Sequence, residues 1–172
     1  MLVCHRRFGK TVCMINHLIR SALLSKLKNP RFAYIAPTFK QAKSIAWDYM
    51  KQFTDKIPYI KFNETELRVD LPNGSRITLL GSDSPDGLRG IYLDGCVIDE
   101  YANVNSKLFP EIIRPALSDR KGYCVFIGTP QGMNNNFYEL YQHANGAEDW
   151  FNYKAKASET KIVDEDELVK AK

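Results

Sequence analysis

Short apolar runs alternate with stretches of helical periodicity along the first third of the chain. Residues 1–4 are apolar, and between residues 12 and 27 apolar side chains recur every three or four positions. A second apolar run covers 32–36, and a second helical pattern covers 41–53. Apolar runs of this length suit buried strands, whereas three- and four-residue spacing is typical of helices. The pattern predicts strand, helix, strand and helix, with Thr38 as N-cap of the second helix.

A β-hairpin is predicted next. Two strand-like segments, 67–71 and 76–80, flank a turn that contains Asn73 and Gly74. Asparagine followed by glycine supplies the positive φ angles that a tight hairpin turn needs. We therefore expect these segments to pair in an antiparallel manner.

The last part of the chain continues the alternation. Residues 96–98 and 124–127 are short apolar segments followed by polar residues, as expected of strands that are buried on both faces of a parallel sheet. Helical spacing returns at 137–144. The predicted fold is α/β, with a mainly parallel central sheet flanked by helices and one β-hairpin. We expect a core over 1–155 and a charged tail or linker over 156–172.

The composition narrows the class of protein but does not identify its function. The 172 residues suit one domain, with 44% hydrophobic and 26% charged residues and a net charge of +4. That charge is compatible with an acidic partner but too small to identify one. No apolar run reaches the roughly 20 residues that a membrane helix needs, so no membrane partner is expected. The cysteines are widely spaced, at Cys4, Cys13, Cys96 and Cys124. We predict that they are buried, reduced thiols of an intracellular protein.

A phosphate-binding loop is indicated between the first strand and the first helix. Residues 4–11 fit the pattern G-x-x-x-x-G-K-[ST], except that Cys4 replaces the first glycine. Gly9 would let the backbone approach phosphate oxygens, Lys10 would supply a positive charge, and the Thr11 hydroxyl would bind Mg²⁺. The alternative is that these residues merely begin a helix.

A pair of carboxylates follows a buried strand, as in the second motif of nucleotide hydrolases. Asp99 is the candidate metal ligand, and Glu100, just beyond the strand, is the candidate base for an attacking water. An exposed acidic pair is the alternative. The next strand ends at Thr129 and Gln131, candidate sensors of the γ-phosphate, although a plain turn would also explain them. This order of elements predicts an NTPase of the additional-strand, catalytic-glutamate type.

Four segments together resemble the large terminase subunit of tailed phages. They are RRFGKT at 6–11, IAPTFKQAKSIAW at 35–47, CVIDEYA at 96–102 and GTPQGMNNNFYELY at 128–141. The resemblance covers nearly all of residues 3–153 and includes Leu-Arg-Gly at 88–90. It implies an ATPase that couples hydrolysis of Mg-ATP to translocation of double-stranded DNA into a procapsid.

The resemblance also implies roles for individual residues. Arg6 or Arg7 would be the loop arginine near the γ-phosphate, and Phe8 would complete the nucleotide-contacting loop with Gly9, Lys10 and Thr11. Arg89 would reach the nucleotide of a neighbouring subunit, unless it is an ordinary surface arginine. The stretch 128–130 would be the motif that couples hydrolysis to movement.

The implied partners are double-stranded DNA, the terminase small subunit, the portal protein and further copies of the chain in a ring, in the host cytoplasm. The family's ATPase domain begins upstream with an adenine-contacting segment and continues into a nuclease domain. We therefore expect a truncated motor core without the adenine clamp or nuclease. A helicase- or recombinase-like ATPase, and an inactive fragment that only binds DNA or a partner, remain alternatives. Candidate DNA contacts are Lys51, Lys56 and Lys61, although a solvated helix surface is the favoured interpretation of these lysines.

Overall fold

The strands of a computed structural model form one mixed sheet over the described residues, which are 1–84, 88–160 and 162. The strands are β1 Leu2–Cys4, β2 Arg31–Ala36, β3 Lys61–Asn63, β4 Arg68–Asp70, β5 Arg76–Gly81, β6 Gly95–Ile98, β7 Tyr123–Gly128 and β8 Tyr153–Ala155. Their order across the sheet is β3-β4-β5-β2-β6-β7-β1-β8. Strands β5, β2, β6, β7, β1 and β8 run parallel, and β4 is antiparallel to both of its neighbours. The predicted α/β fold is confirmed.

Helices cover both faces of this sheet. They are α1 Lys10–Leu24, α2 Phe39–Ala42, α3 Asp48–Thr54, α4 Arg114–Ser118, α5 Asn136–Ala144 and α6 Ala157–Thr160. One apolar cluster joins α1, α2 and α3 to one face, and a second joins α4 and α5 to the other. The central strands are buried on both sides, which explains why they read as continuous apolar runs.

Two of the helical segments that cover the sheet contain a π-helical stretch. Residues Lys43–Trp47 join α2 to α3, so one interrupted helix occupies all of the predicted 41–53. Residues Phe109–Ile113 lead into α4 in the same way. Thr38 caps α2 as predicted, because its hydroxyl accepts from the Gln41 N–H at 3.1 Å while the Gln41 side chain accepts from the Thr38 N–H.

The hairpin forms between β4 and β5, but its turn differs from the predicted one. Gly74 has a φ of 84°, whereas Asn73 does not adopt a positive φ. The Gly74 N–H donates to Leu71 at 3.0 Å, and the Leu71 N–H donates to Ser75 at 2.9 Å. This is a type I turn followed by a left-handed glycine, the usual three-residue hairpin loop, so only one residue needs a positive φ.

Two edge strands were missed in the sequence, and the cysteine environments were predicted only in part. Strands β3 and β8 are three residues long, lie at the two edges of the sheet and expose most of their side chains. The cysteines are free thiols, but Cys13 is exposed and Cys124 only half-buried, because Cys13 lies off the face of α1 that packs on the sheet. Of the predicted tail, residues 156–160 and 162 are described, and four of them form α6.

Candidate active site

The loop between β1 and α1 presents the N-terminus of a 15-residue helix at the carboxyl edge of the sheet. Gly9 is the N-cap of α1 and has a φ of 86°, and a Cβ at this position would meet nothing within 4 Å. The glycine is therefore required for its backbone angle and not for space. Arg7 also has a positive φ, of 62°. A helix N-terminus offers unpaired N–H groups and a favourable dipole to an anion.

Lys10 is the buried cation of this site. Only 8% of the surface of Lys10 is exposed to solvent. The Nζ donates to the carbonyl oxygens of Cys4 and His5, each at 3.0 Å, and to Oγ1 of Thr129 at 3.2 Å. The ammonium thus links the loop after β1 to the end of β7, and its charge lacks a carboxylate partner among the ion pairs of the described residues. Such a charge is suited to bind an incoming anion.

Asp99 lies directly after β6 and is buried, with 4% of its surface exposed. Its Oδ1 accepts from the Glu100 N–H at 2.8 Å, and its Oδ2 accepts from the Thr11 hydroxyl at 3.3 Å. Burial raises the pKa of Asp99, and the hydrogen bond from Tyr34 opposes this rise. The sequence-predicted pair Thr11 and Asp99 is therefore brought into contact across 88 residues of chain.

Tyr34 is a member of this site that the sequence analysis missed. Its hydroxyl donates a short hydrogen bond to Oδ2 of Asp99. Burial, together with the neighbouring carboxylate of Asp99, raises the pKa of Tyr34 far above its usual value, so this hydroxyl stays protonated. In the sequence it is one aromatic residue in an apolar run, and its hydroxyl is the only signal that could have drawn attention to it.

Glu100 has an unusual backbone conformation. Its φ and ψ are 45° and 48°, in the left-handed region that residues with a Cβ rarely adopt. Its side chain is half-buried, and Oε2 accepts from Nε2 of Gln131 at 3.4 Å. The turn aims Glu100 away from the continuation of β6 and towards the loop after β7.

The loop after β7 is held by the helix that follows it. Oδ1 of Asn135 caps α5 by accepting from the backbone of Phe137 and Tyr138, at 3.1 and 3.0 Å. The Nδ2 of the same asparagine donates to the carbonyls of Gln131 and Gly132. One side chain thereby fixes both the start of α5 and the polar end of the loop.

The arginines and Phe8 lie at the margin of the site. Arg6 and Arg7 are exposed on the loop. The Phe8 ring packs against His5 and Tyr153, with centroids 5.4 and 6.1 Å away, so it faces β8. Its side chain supports the loop from the edge of the sheet, and its backbone is the part available to a ligand.

Arg89, the candidate residue for a neighbouring nucleotide, lies on the surface. It is exposed and lines a cleft of about 430 Å³, whose other lining residues include Ser82, Asn103 and Lys107. The candidate DNA contacts lie elsewhere: Lys51 is paired with Asp48 and Glu64, and Lys56 and Lys61 are exposed.

The oxygen donors at Thr11 and Asp99 fit a hard divalent cation such as Mg²⁺. A hydroxyl and a carboxylate 3.3 Å apart are the donor types that Mg²⁺ prefers. The described residues contain no cluster of three or more histidine, cysteine, aspartate or glutamate side chains with metal-binding geometry. Two protein oxygens match Mg²⁺, which usually takes its remaining ligands from water and substrate phosphates.

Among the described helices, none is long and apolar enough to cross a membrane.

Comparisons with known proteins find similar chains among terminase large subunits. The terminase large subunit of Thermus phage G20c is 31% identical over 126 residues, which is 62% of this chain and 26% of that protein. A second terminase large subunit, from Thermus virus P23-45, is 30% identical over the same shares. The chain therefore spans about a quarter of the length of these curated relatives.

Solved structures share the fold at lower identity. The large terminase ATPase domain of Thermus phage P74-26 matches with a TM-score of 0.75 and 22% identity, over 91% of this chain and 75% of that one. The large terminase of another thermophilic bacteriophage, in complex with ADP, matches with a TM-score of 0.72 and 16% identity, over 99% and 43%. A family model described as terminase large subunit, T4likevirus-type, N-terminal, matches residues 1–169. Since that match covers almost the whole chain, the protein belongs to the terminase large-subunit family.

Proposed function

We propose that this chain is the ATP-hydrolysing core of a DNA-packaging motor. The observation that carries the proposal is the convergence of Lys10, the Thr11–Asp99 pair and Glu100 at one edge of the sheet. The order of strands supports it, since β7 lies between β1 and β6, as in NTPases of the additional-strand type. The large terminase of the thermophilic bacteriophage, which shares this fold, was solved with ADP and with ATP-gamma-S.

The loop and Lys10 would bind the triphosphate. The N–H groups at the start of α1 point towards the loop, and the Lys10 ammonium lies beside them with three neutral oxygen acceptors. Phosphate oxygens carry full negative charge, so they would replace those acceptors in a stronger, charge-assisted interaction. Arg6 and Arg7, exposed on the same loop, are placed to add further positive charge near the phosphates.

Thr11 and Asp99 would hold Mg²⁺, which would neutralise charge on the β- and γ-phosphates. The hydroxyl of Thr11 donates its proton to Asp99 and keeps its oxygen lone pairs free for a cation. The Glu100 carboxylate is the group left to accept a proton from water. It lies at the site edge, half-buried, and its distance to Gln131 of 3.4 Å leaves that contact weak and easily exchanged.

Thr129 and Gln131 would report on the γ-phosphate. Thr129 bonds to Lys10 and Gln131 bonds to Glu100. This loop therefore contacts both the lysine that would bind phosphate and the carboxylate that would activate water. This supports a role for 128–131 in passing the nucleotide state to the rest of the motor. Arg89, which lines the cleft, would act on the nucleotide of a neighbouring copy in a ring.

The packaging role rests on membership of the terminase family. It implies double-stranded DNA as the translocated substrate, with the small subunit and the portal protein as partners, in the host cytoplasm. We further propose that residues 1–155 form the motor core and that 156–172 are a charged tail or linker, of which 161 and 163–172 lie outside the described residues. Nothing in the described residues favours a helicase or recombinase over a terminase.

Two variants of the site and one surface variant test the nucleotide role. We expect Lys10→Ala to lose binding of labelled ATP, and Glu100→Gln to bind ATP but release phosphate at a rate lower by about 10²–10⁴-fold. Lys26→Ala, which changes an exposed lysine beyond the far end of α1, is the matched control and should behave as wild type. Retention of ATP by Lys10→Ala at wild-type affinity would show that the loop is not the phosphate site. Stimulation of phosphate release by duplex DNA tests the motor role separately.

A further inference from the structure

The buried phenol of Tyr34 belongs to none of the sequence motifs. It lies in the middle of β2, with none of its surface exposed, between Ala33 and Ile35. The other residues of the strand interior are apolar, and the same apolar cluster surrounds the Tyr34 ring. A phenylalanine would fill this space without the cost of removing a hydroxyl from water. The hydroxyl therefore needs an explanation beyond packing.

Strand register directs Tyr34 and Asp99 to the same face of the sheet. Tyr34 lies opposite Val97 of β6, and Asp99 follows Val97 by two residues. Side chains two residues apart on a strand point to the same side, which here is the side covered by α1. The Asp99 N–H donates to Ile35 at 2.8 Å, so β2 also fixes the backbone from which the carboxylate projects.

The Asp99 carboxylate is held by donors from three different elements. The Glu100 N–H bonds Oδ1, whereas Oδ2 accepts from Tyr34 and Thr11. Thr11 belongs to α1 and would itself face the cation, so its geometry changes when a nucleotide binds. Tyr34 belongs to a central strand with hydrogen-bonded partners on both sides, so its hydroxyl stays in place. Tyr34 is therefore the rigid donor to Oδ2 of Asp99, the oxygen that also accepts from Thr11 of α1.

We propose that Tyr34 is a positioning residue for the Mg-nucleotide site, whose hydroxyl holds the Asp99 carboxylate in the orientation that binds the cation. The proposal rests on the proposed function of Asp99 as a metal ligand. Groups that hydrogen-bond to metal ligands commonly change metal affinity by about 10- to 100-fold when they are removed. Tyr34 would thus act on Mg²⁺ through Asp99, without contact to the nucleotide.

The test is the Mg²⁺ dependence of nucleotide binding by Tyr34→Phe. Affinity for a fluorescent, non-hydrolysable ATP analogue is measured in EDTA and across a series of Mg²⁺ concentrations, with no catalysis involved. Tyr123→Phe is the matched control, because the Tyr123 hydroxyl is also part-buried and donates to Ser21 of α1 at 3.0 Å, far along the helix from Thr11. Unfolding curves in EDTA accompany each variant.

The expected result separates cation binding from nucleotide binding. In EDTA, Tyr34→Phe should bind the analogue as tightly as wild type, since Lys10 and the loop are unchanged. The Mg²⁺ concentration that gives half of the increase in affinity should rise by about 10-fold or more for Tyr34→Phe and stay unchanged for Tyr123→Phe.

Equal Mg²⁺ dependence in wild type and Tyr34→Phe would overturn the proposal. So would a Tyr34→Phe chain that fails to fold while Tyr123→Phe folds, because the hydroxyl would then support the fold and not the cation. If wild type itself shows no effect of Mg²⁺, the metal role of Asp99 fails and the proposed function fails with it. If wild type responds to Mg²⁺ and Lys10→Ala loses the nucleotide, the proposed function stands. An unchanged Mg²⁺ dependence in Tyr34→Phe then refutes only the role of Tyr34.

Discussion

The left-handed backbone at Glu100 predicts that the protein is less stable than it would be with glycine there. Left-handed angles cost a residue with a Cβ about 1–2 kcal/mol, whereas glycine adopts them freely. Glu100 has a φ of 45° and a ψ of 48°. We predict that Glu100→Gly stabilises the nucleotide-free domain while it removes the carboxylate proposed to activate water.

The net gain in the free energy of unfolding of Glu100→Gly is smaller than the backbone strain that the substitution relieves. Glycine makes the unfolded chain more flexible, which costs about 0.4–1 kcal/mol. The lost contact to Gln131 is 3.4 Å long and exposed, so it contributes little. The remaining stabilisation is about 0.5–1 kcal/mol, and with a shift of about 2–4 °C per kcal/mol the Tm should rise by about 1–4 °C. The backbone bond from the Glu100 N–H to Asp99 is retained in glycine.

Thermal and urea unfolding, followed by circular dichroism in EDTA without nucleotide, measure the gain. Glu100→Gln is the control, because it removes the charge but keeps the Cβ and therefore the strain. Both variants should lose phosphate release, and only the glycine variant should unfold at a higher temperature. If Glu100→Gly unfolds at or below the temperature of Glu100→Gln, position 100 is not strained and the argument fails.

Two further predictions concern the packing of Tyr123. A Cβ on Gly95 would lie 2.5 Å from the Tyr123 ring, so Gly95→Ala should lower the free energy of unfolding by about 1–3 kcal/mol; an unchanged urea midpoint would contradict this close packing. His17 contacts the same ring edge-on, and burial lowers its pKa below the usual 6.5. The unfolded chain then binds the proton more readily, so wild type should lose stability as the pH falls through 6.5 towards the lower folded pKa. Unfolding curves between about pH 7 and 5 should show less of this loss in His17→Gln, and an identical pH profile would refute it.

The apolar pattern predicted the central strands because burial on both faces leaves no room for polar residues. β2 and β6 are the clearest cases, since nearly all of their residues are buried. β3 and β8 gave no such pattern, because each is three residues long and most of its side chains are exposed. Their pairing is set by the neighbouring strands and not by their own composition.

The candidate site residues within motifs could be proposed from the sequence because their spacing along the chain is short. Lys10 and Thr11 follow one glycine, and Asp99 ends one apolar strand. Tyr34 was not predictable in this way, since its bond to Asp99 spans 65 residues and depends on the register of two strands. A periodic apolar run indicates that a side chain is buried, but it does not indicate which polar atom its hydroxyl meets.

The position of β7 between β1 and β6 connects the proposed phosphate-binding lysine to the proposed catalytic carboxylate through one loop. Lys10 donates to Thr129, and two residues later Gln131 donates to Glu100. A triphosphate that attracts the Lys10 ammonium takes a donor away from Thr129. Pro130 lies between the two contacts and restricts the backbone there, so a shift of Thr129 is passed on to Gln131 with little loss. We therefore expect occupancy of the phosphate loop to change how Glu100 is held before any bond is broken.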